Sequence, residues 1–221
     1  MSSTGSTEGS RSSMDRRRFL KLSGAGVTGA FLLAAVGAGD VLAEPASELE
    51  REFEEAAAKY AVPVEVLLAM GYVNTRWEMP PPEASAYERG DLHGWGSYGI
   101  MALVQNPSSD TLGEASLLTG IPEARLKTDR KANIMGGAAL LAESQGKKPS
   151  SLGGWLGAVN GRGGNGKMYR AVAGIGGGEL YAEQISETLL KGAVERTKGG
   201  ERVSLKARSL QTRMTSQGRV L

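Results

Sequence analysis

The sequence contains no cysteine, which excludes disulfides, thiolate metal sites and cysteine nucleophiles. It contains a single histidine, His93. A catalytic zinc ion takes about three protein ligands, drawn mainly from histidine and carboxylates, so one histidine argues against zinc chemistry. Aromatic residues are scarce, at 5% of the chain, and neither sign of charge dominates, with 26 Lys/Arg against 24 Asp/Glu. The apolar run from Leu22 to Val36 is about 15 residues, short of the roughly 20 that span a bilayer. What is present is 221 residues, 40% of them hydrophobic, with 32 glycines. That suffices for one domain with a real core, plus appendages.

The first appendage reads as an address label. Residues 1–13 are rich in Ser and Gly and are expected to be disordered. Arg16-Arg17-Arg18-Phe19-Leu20-Lys21 then precedes the apolar run, and Val41-Leu42-Ala43 supplies a small-residue cleavage site. Charged, apolar and small-residue regions in this order make a secretory signal. The Arg-Arg-x-Phe-Leu-Lys order resembles the twin-arginine export signal. It implies the twin-arginine translocase as a partner during export, and a secreted or cell-wall location with no stable membrane span after cleavage. An uncleaved anchor is the alternative, and Met14 is an alternative start.

Charge divides the remainder. Residues 44–192 hold 14 Lys/Arg against 19 Asp/Glu, and residues 193–221 hold 7 against 2. The acidic body is no nucleic-acid binder by charge. The basic end is expected to be a solvated, flexible tail or truncated linker, able to dock on anionic wall polymer.

Within the body, helical periodicity recurs. Glu48 to Ala61 sets Leu49, Phe53, Ala56 or Ala57, and Tyr60 on one face and Glu48, Glu50, Arg51, Glu54 and Glu55 on the other. Pro63 to Trp77 is apolar on most sides, with Val64, Leu67, Leu68 and Gly71 at helical spacing, and then turns polar at Asn74, Thr75 and Arg76. A buried helix that carries polar groups to a cavity rim can mount a carbohydrate site; a core helix ending at the surface is the plain alternative. Met79 to Ser97 includes Pro80, Pro81 and Pro82 and is expected to be an exposed loop carrying His93 and Trp95. Ser97 to Leu103 has strand or turn character. Thr111 and Glu114 fit a capping box opening a helix to Gly120. A short helix over Pro122 to Lys127 follows, then one capped by Asp129 over Arg130 to Glu143, where Gly136 and Gly137 predict a close helix contact. Ser151 to Val159 is a short helix with Trp155. Asn160 to Gly166 is a loop that lacks the setting of a phosphate-binding loop. Glu179 to Lys191 is the last helix, burying Tyr181, Ile185 and Leu189.

The order of these pieces resembles the lysozyme-like domain of soluble lytic transglycosylases. Phe53-x-x-Ala56-Ala57-x-x-Tyr60-Ala61-Val62-Pro63 with Val66 to Ala69 is similar to its opening, and Ser97-Tyr98-Gly99-Ile100-Met101 to its Ser-x-Gly-Leu-Met element. Thr128-Asp129-x-x-Ala132-Asn133-Ile134-x-Gly136-Gly137 resembles its Asp-Pro-x-x-Asn-Ile-x-x-Gly helix, and Trp155 to Gly161 its Trp-x-x-Ala-x-x-x-Tyr-Asn-Gly stretch. Residues 48–207 together are similar to the region before the amidase domain in exported actinobacterial N-acetylmuramoyl-L-alanine amidases, with Arg202 to Ala207 resembling the linker into that domain.

The departures concern the chemistry. The resemblance puts Asn74 at the family's catalytic glutamate and Thr75 at the serine after it. Glycan cleavage needs a group that gives and later takes a proton, which a carboxyl of raised pKa can do and an amide cannot. The family's Gln after Met is Ala102 here, and its Tyr before Asn-Gly is missing ahead of Asn160. Glu78, one turn beyond Asn74, is the substitute acid to consider. The resemblance therefore implies a mostly α, lysozyme-like helical domain with long irregular loops over residues 44–192, recognising peptidoglycan glycan strands and catalytically degenerate. Trp77, Trp95, Tyr98 and Met101 would face sugar rings, and Thr75, Asn74 and Asn160 would line the substrate. No cofactor or metal is expected. The alternatives are an active lytic transglycosylase that cleaves the bond between N-acetylmuramic acid and N-acetylglucosamine, and a truncated form of a wall amidase without its zinc domain.

Overall fold

Ser47 opens the first helix, α1 (Glu48–Tyr60), with a capping box: its hydroxyl accepts the Glu50 N–H and the Glu50 carboxylate accepts its N–H. Ala61 ends the helix in the left-handed conformation. Pro63 is the N-cap of α2 (Val64–Thr75), one position earlier than a first-turn proline. Val66, Leu67, Ala69 and Met70 of α2 are buried, and Gly71 lets it close on α1: a Cβ there would stand 2.9 Å from the Phe53 ring. The structure, a computed structural model, describes residues 45–89, 96–159 and 178–221, all within one unit spanning Glu44–Leu221. The signal-like segment, His93, Trp95 and the loop from Asn160 lie outside the described residues.

The proline-rich stretch contains a single turn of helix, α3 (Pro82–Ser85), because Pro82 sits in its first turn where a missing N–H costs nothing. Strands β1 (Ser97–Tyr98), β2 (Leu103–Asn106) and β3 (Ser109–Asp110) form a small antiparallel sheet, with Tyr98 opposite Leu103 and Asn106 opposite Ser109. Helix α4 (Thr111–Thr119) is capped by Asp110, whose carboxylate accepts the Gly113 N–H at 2.9 Å. The expected capping box at Thr111 is therefore corrected. The Thr111 hydroxyl is buried and accepts the Val104 N–H at 2.8 Å, so it serves the sheet instead.

Helices α5 (Glu123–Thr128) and α6 (Arg130–Gln145) follow, α6 capped by Asp129 as its sequence requires. Helix α6 is central, packing on α1, α4 and α5. The expected close helix contact is made at Gly136, where a Cβ would meet Leu126 of α5 at 3.1 Å and Ala115 of α4 at 3.2 Å; a Cβ on Gly137 would instead meet Met101, in the turn after β1, at 2.6 Å. A 3-10 turn (Leu152–Trp155) leads into α7 (Leu156–Val159), and α8 (Gly178–Lys191) packs against α2 through Tyr181, Ile185 and Leu189. The architecture is mostly α with small antiparallel sheets. Among the described residues no helix is long and apolar enough to cross a membrane.

Residues 193–221 correct the expectation of a flexible tail. Strands β4 (Ala193–Arg196) and β5 (Arg202–Leu205) pair antiparallel, and Val203 and Leu205 are buried in the same core as α1 and α2. Glu50 accepts the Ser204 N–H at 2.8 Å and its hydroxyl at 2.9 Å, and Glu201 accepts the Leu49 N–H at 3.0 Å. Arg130 bridges Glu52 of α1, at 2.7 Å, and Glu201 of the hairpin. Further on, the Leu152 and Gly153 N–H groups donate to Thr212 and Leu210, and Met214 is buried. Net charge misses this because β5 carries an exposed Arg202 beside the buried Val203 and Leu205, and the exposed Lys206 follows it.

Candidate functional site: the polar end of α2

The last turn of α2 is the polar end that the sequence singles out. Asn74 is half-buried there, its Nδ2 donating to the Ile100 carbonyl at 3.4 Å, a long bond that links α2 to the turn after β1. Its side chain also lies against the phenol of Tyr181 on α8. Burial pushes that phenol well above its ordinary pKa, and Asn74 draws it part of the way back. Three elements thus meet at Asn74. Thr75 turns its hydroxyl onto the Gly71 carbonyl of its own helix at 3.3 Å.

The chain then takes two successive left-handed residues, Arg76 (φ 56°) and Trp77 (φ 62°). Such a conformation costs a non-glycine residue of order 1–2 kcal/mol, and packing on both sides holds it. Arg76 is carried outward, its guanidinium 4.1 Å from the centre of the Tyr72 ring. Trp77 is carried inward: its Nε1 donates to the Leu68 carbonyl at 2.8 Å, its ring stands 4.9 Å from Tyr72, and 1% of the residue is exposed.

Several expected roles are corrected by burial. Trp77, Tyr98 and Met101 offer no open face to a sugar, being 1%, 7% and 0% exposed. Trp77 is a core residue because the double left-handed turn folds it back beneath α2. Tyr98 is covered on one side by the Lys127 ammonium, 4.5 Å from its ring. Met101 fills the space left by Gly137. Glu78 does not continue the face of Asn74, since the same turn breaks the helical repeat; its carboxylate accepts the Lys198 N–H of the β4–β5 turn at 2.7 Å. Trp95 and Asn160 fall outside the described residues.

Asn133, to which the sequence motif of α6 assigns no role, organises this region. Fully buried in α6, its Oδ1 accepts the Met101 N–H at 2.8 Å, while its Nδ2 donates to the carbonyls of Tyr98 at 3.0 Å and Leu126 at 2.9 Å. One amide thereby fixes the 98–101 turn, and with it the Ile100 carbonyl that Asn74 reaches. The signal was available: an asparagine between Ala132 and Ile134 on the buried face of a helix has to find partners.

Beside the polar end, a groove of about 360 Å³ runs between α2 and α8, lined by Tyr72, Arg76, Gln184, Glu187 and Thr188 among others. Its carboxylate, Glu187, is paired with Lys191, which holds its pKa below the ordinary value. A carboxylate in that state accepts hydrogen bonds and is no proton donor at neutral pH. The local chemistry is that of an amide, hydroxyls and a stacked guanidinium. No family model matches the sequence, and no curated protein matches it.

Proposed function

We propose that the protein is an exported, lysozyme-like wall domain that recognises the glycan strands of peptidoglycan without cleaving them efficiently. The observation that carries this reading is the position of Asn74. A buried helix delivers it to a half-buried junction of three elements, where a carboxyl would be desolvated and primed for proton transfer, and the residue there is an amide. An amide is both donor and acceptor, which suits the acetamido groups of amino sugars. Arg76, displayed on Tyr72, adds a charge for a carboxylate-bearing sugar. The substitute-acid reading is not favoured, because the Glu78 carboxylate accepts the Lys198 backbone N–H of the β4–β5 turn.

The test is a titration of the isotope-labelled chain with peptide-free glycan strands. The Asn74 side-chain amide and the Ile100 backbone amide should shift and saturate, and Asn74→Ala should weaken binding by about tenfold, the worth of one or two hydrogen bonds. Saturable binding unchanged in Asn74→Ala, or none in the parent, would contradict the reading.

A further inference from the structure

The β4–β5 hairpin leaves one edge of its sheet open. Its register sets Ala193 opposite Leu205, Val194 opposite Ser204, Glu195 opposite Val203 and Arg196 opposite Arg202. In an antiparallel pair, residues that exchange hydrogen bonds alternate with residues whose backbone groups point away from the partner. Two bonds settle which are which. At the turn the Thr197 N–H donates to the Glu201 carbonyl at 2.9 Å, so the pairs that exchange bonds are Glu195 with Val203 and Ala193 with Leu205. Ser204 agrees, since its N–H leaves β4 alone and donates to Glu50 at 2.8 Å. Val194 and Arg196 therefore turn their N–H and C=O away from β5. Glu50 takes up the outward N–H of β5, but no hydrogen bond from a described residue reaches the backbone of Val194 or Arg196. Both residues and Glu195 between them are exposed, Val194 by 58%.

An open edge of this kind templates a further strand, whose affinity comes from main-chain bonds and whose specificity comes from the side chains set opposite. The open stretch is bounded at both ends. Beyond it the Lys198 N–H is taken by Glu78 at 2.7 Å, and before it the Gly192 N–H is taken by Thr188 of α8 at 2.8 Å. A second copy of the chain fits poorly. Joining two β4 edges antiparallel through their outward groups centres the pair on Val194, Glu195 or Arg196. The last two set like charges directly opposite each other, which destabilises. The first sets Arg196 opposite Gly192, whose φ of 72° lies outside the strand. A strand of complementary charge has neither fault. We propose that the β4 edge takes up an extended peptide of another protein, antiparallel, with an acidic residue opposite Arg196, a basic one opposite Glu195 and an apolar one opposite Val194. Side chains alternate along a strand, so the acidic and apolar residues share one face with Arg196 and Val194 while the basic residue joins Glu195 on the other. The inference is independent of glycan recognition.

The test is amide hydrogen exchange, followed by magnetic resonance on the full-length chain, with two peptides of one composition. Acetyl-Thr-Glu-Lys-Val-Thr-amide places its charges as the edge requires, and acetyl-Thr-Lys-Glu-Val-Thr-amide reverses them. Without peptide, the Val194 and Arg196 amides should exchange much faster than the ladder amide of Glu195. The first peptide should slow both saturably, and the second should bind about tenfold more weakly. Val194→Pro removes an outward N–H that bonds nothing in β5, so it should abolish the response while Glu195 stays protected. Should proline disturb the hairpin, the exposed Arg196→Glu replaces it and should bring the two peptides within about twofold of each other. Protection of Val194 and Arg196 in the dilute free chain, no saturable slowing by the first peptide, equal binding of the two peptides to the parent, or a full response in a folded Val194→Pro would overturn the proposal. Slowing that grows with protein concentration alone would overturn it in favour of a second copy.

Discussion

The side-chain oxygen of Asn133 accepts the backbone N–H of Met101 at 2.8 Å, with both residues fully buried. Together with the two carbonyls reached by its Nδ2, this single amide replaces the ladder partners that the 98–101 turn lacks. Asn133→Ala would leave one N–H and two carbonyls without that partner, at about 1–3 kcal/mol for each group left bare. A loss of about 3–5 kcal/mol is expected in urea denaturation. A change below 1 kcal/mol would show that the turn is held by other means.

The same clamp explains Gly99. Its φ is +71°, and a Cβ there would lie 2.3 Å from the Asn133 side chain. Gly99→Ala therefore meets both backbone strain and a collision, and should destabilise at least as much as losing Asn133. Gly120 also has a positive φ, of 70°, but open space around it. Gly120→Ala should cost only about 1 kcal/mol, the conformational part alone. Similar losses from the two substitutions would remove the collision from the account.

Residues 193–221 belong to the folded body. Deleting them removes Val203, Leu205 and Met214 from the core and strips Glu50 and Arg130 of partners. At roughly 1.5–3 kcal/mol per buried side chain, the loss approaches the whole stability of a domain. Calorimetry should show the transition lost or its midpoint lowered by about 10–20 °C. An unchanged midpoint would restore the tail as a separate appendage.

Asp129 links stability to pH. The Ala132 N–H, at 2.8 Å, and the Arg125 guanidinium, at 2.9 Å, lower its pKa from the ordinary 3.8. A lowered folded-state value means the carboxylate stabilises fully above the unfolded value, and that this contribution is lost as pH falls through the folded one. Asp129→Asn keeps a cap for α6 but cannot titrate, so its stability should fall less steeply than the parent's below pH about 4. Parallel curves for the two proteins would assign the acid sensitivity elsewhere.

Much of the helical order is legible in the sequence because it rests on local rules. The Asp129 cap and the apolar faces of α1 and α8 follow from residues a few positions apart. What misled was geometry that breaks a repeat. Trp77 and Glu78 follow Asn74 closely in sequence, yet two left-handed residues send one into the core and the other to the hairpin.

The central claim is recognition of glycan without efficient cleavage, and it is tested most directly by incubating the full-length chain with purified peptidoglycan and assaying the pellet for bound protein and the supernatant for released muropeptides. General acid–base help is typically worth about 10²–10⁴-fold in rate, so its absence at Asn74 should leave release at the level of a protein-free control. The account predicts saturable co-sedimentation with no release above that control. Steady release of muropeptides, or a supernatant that retains all the protein, would contradict it.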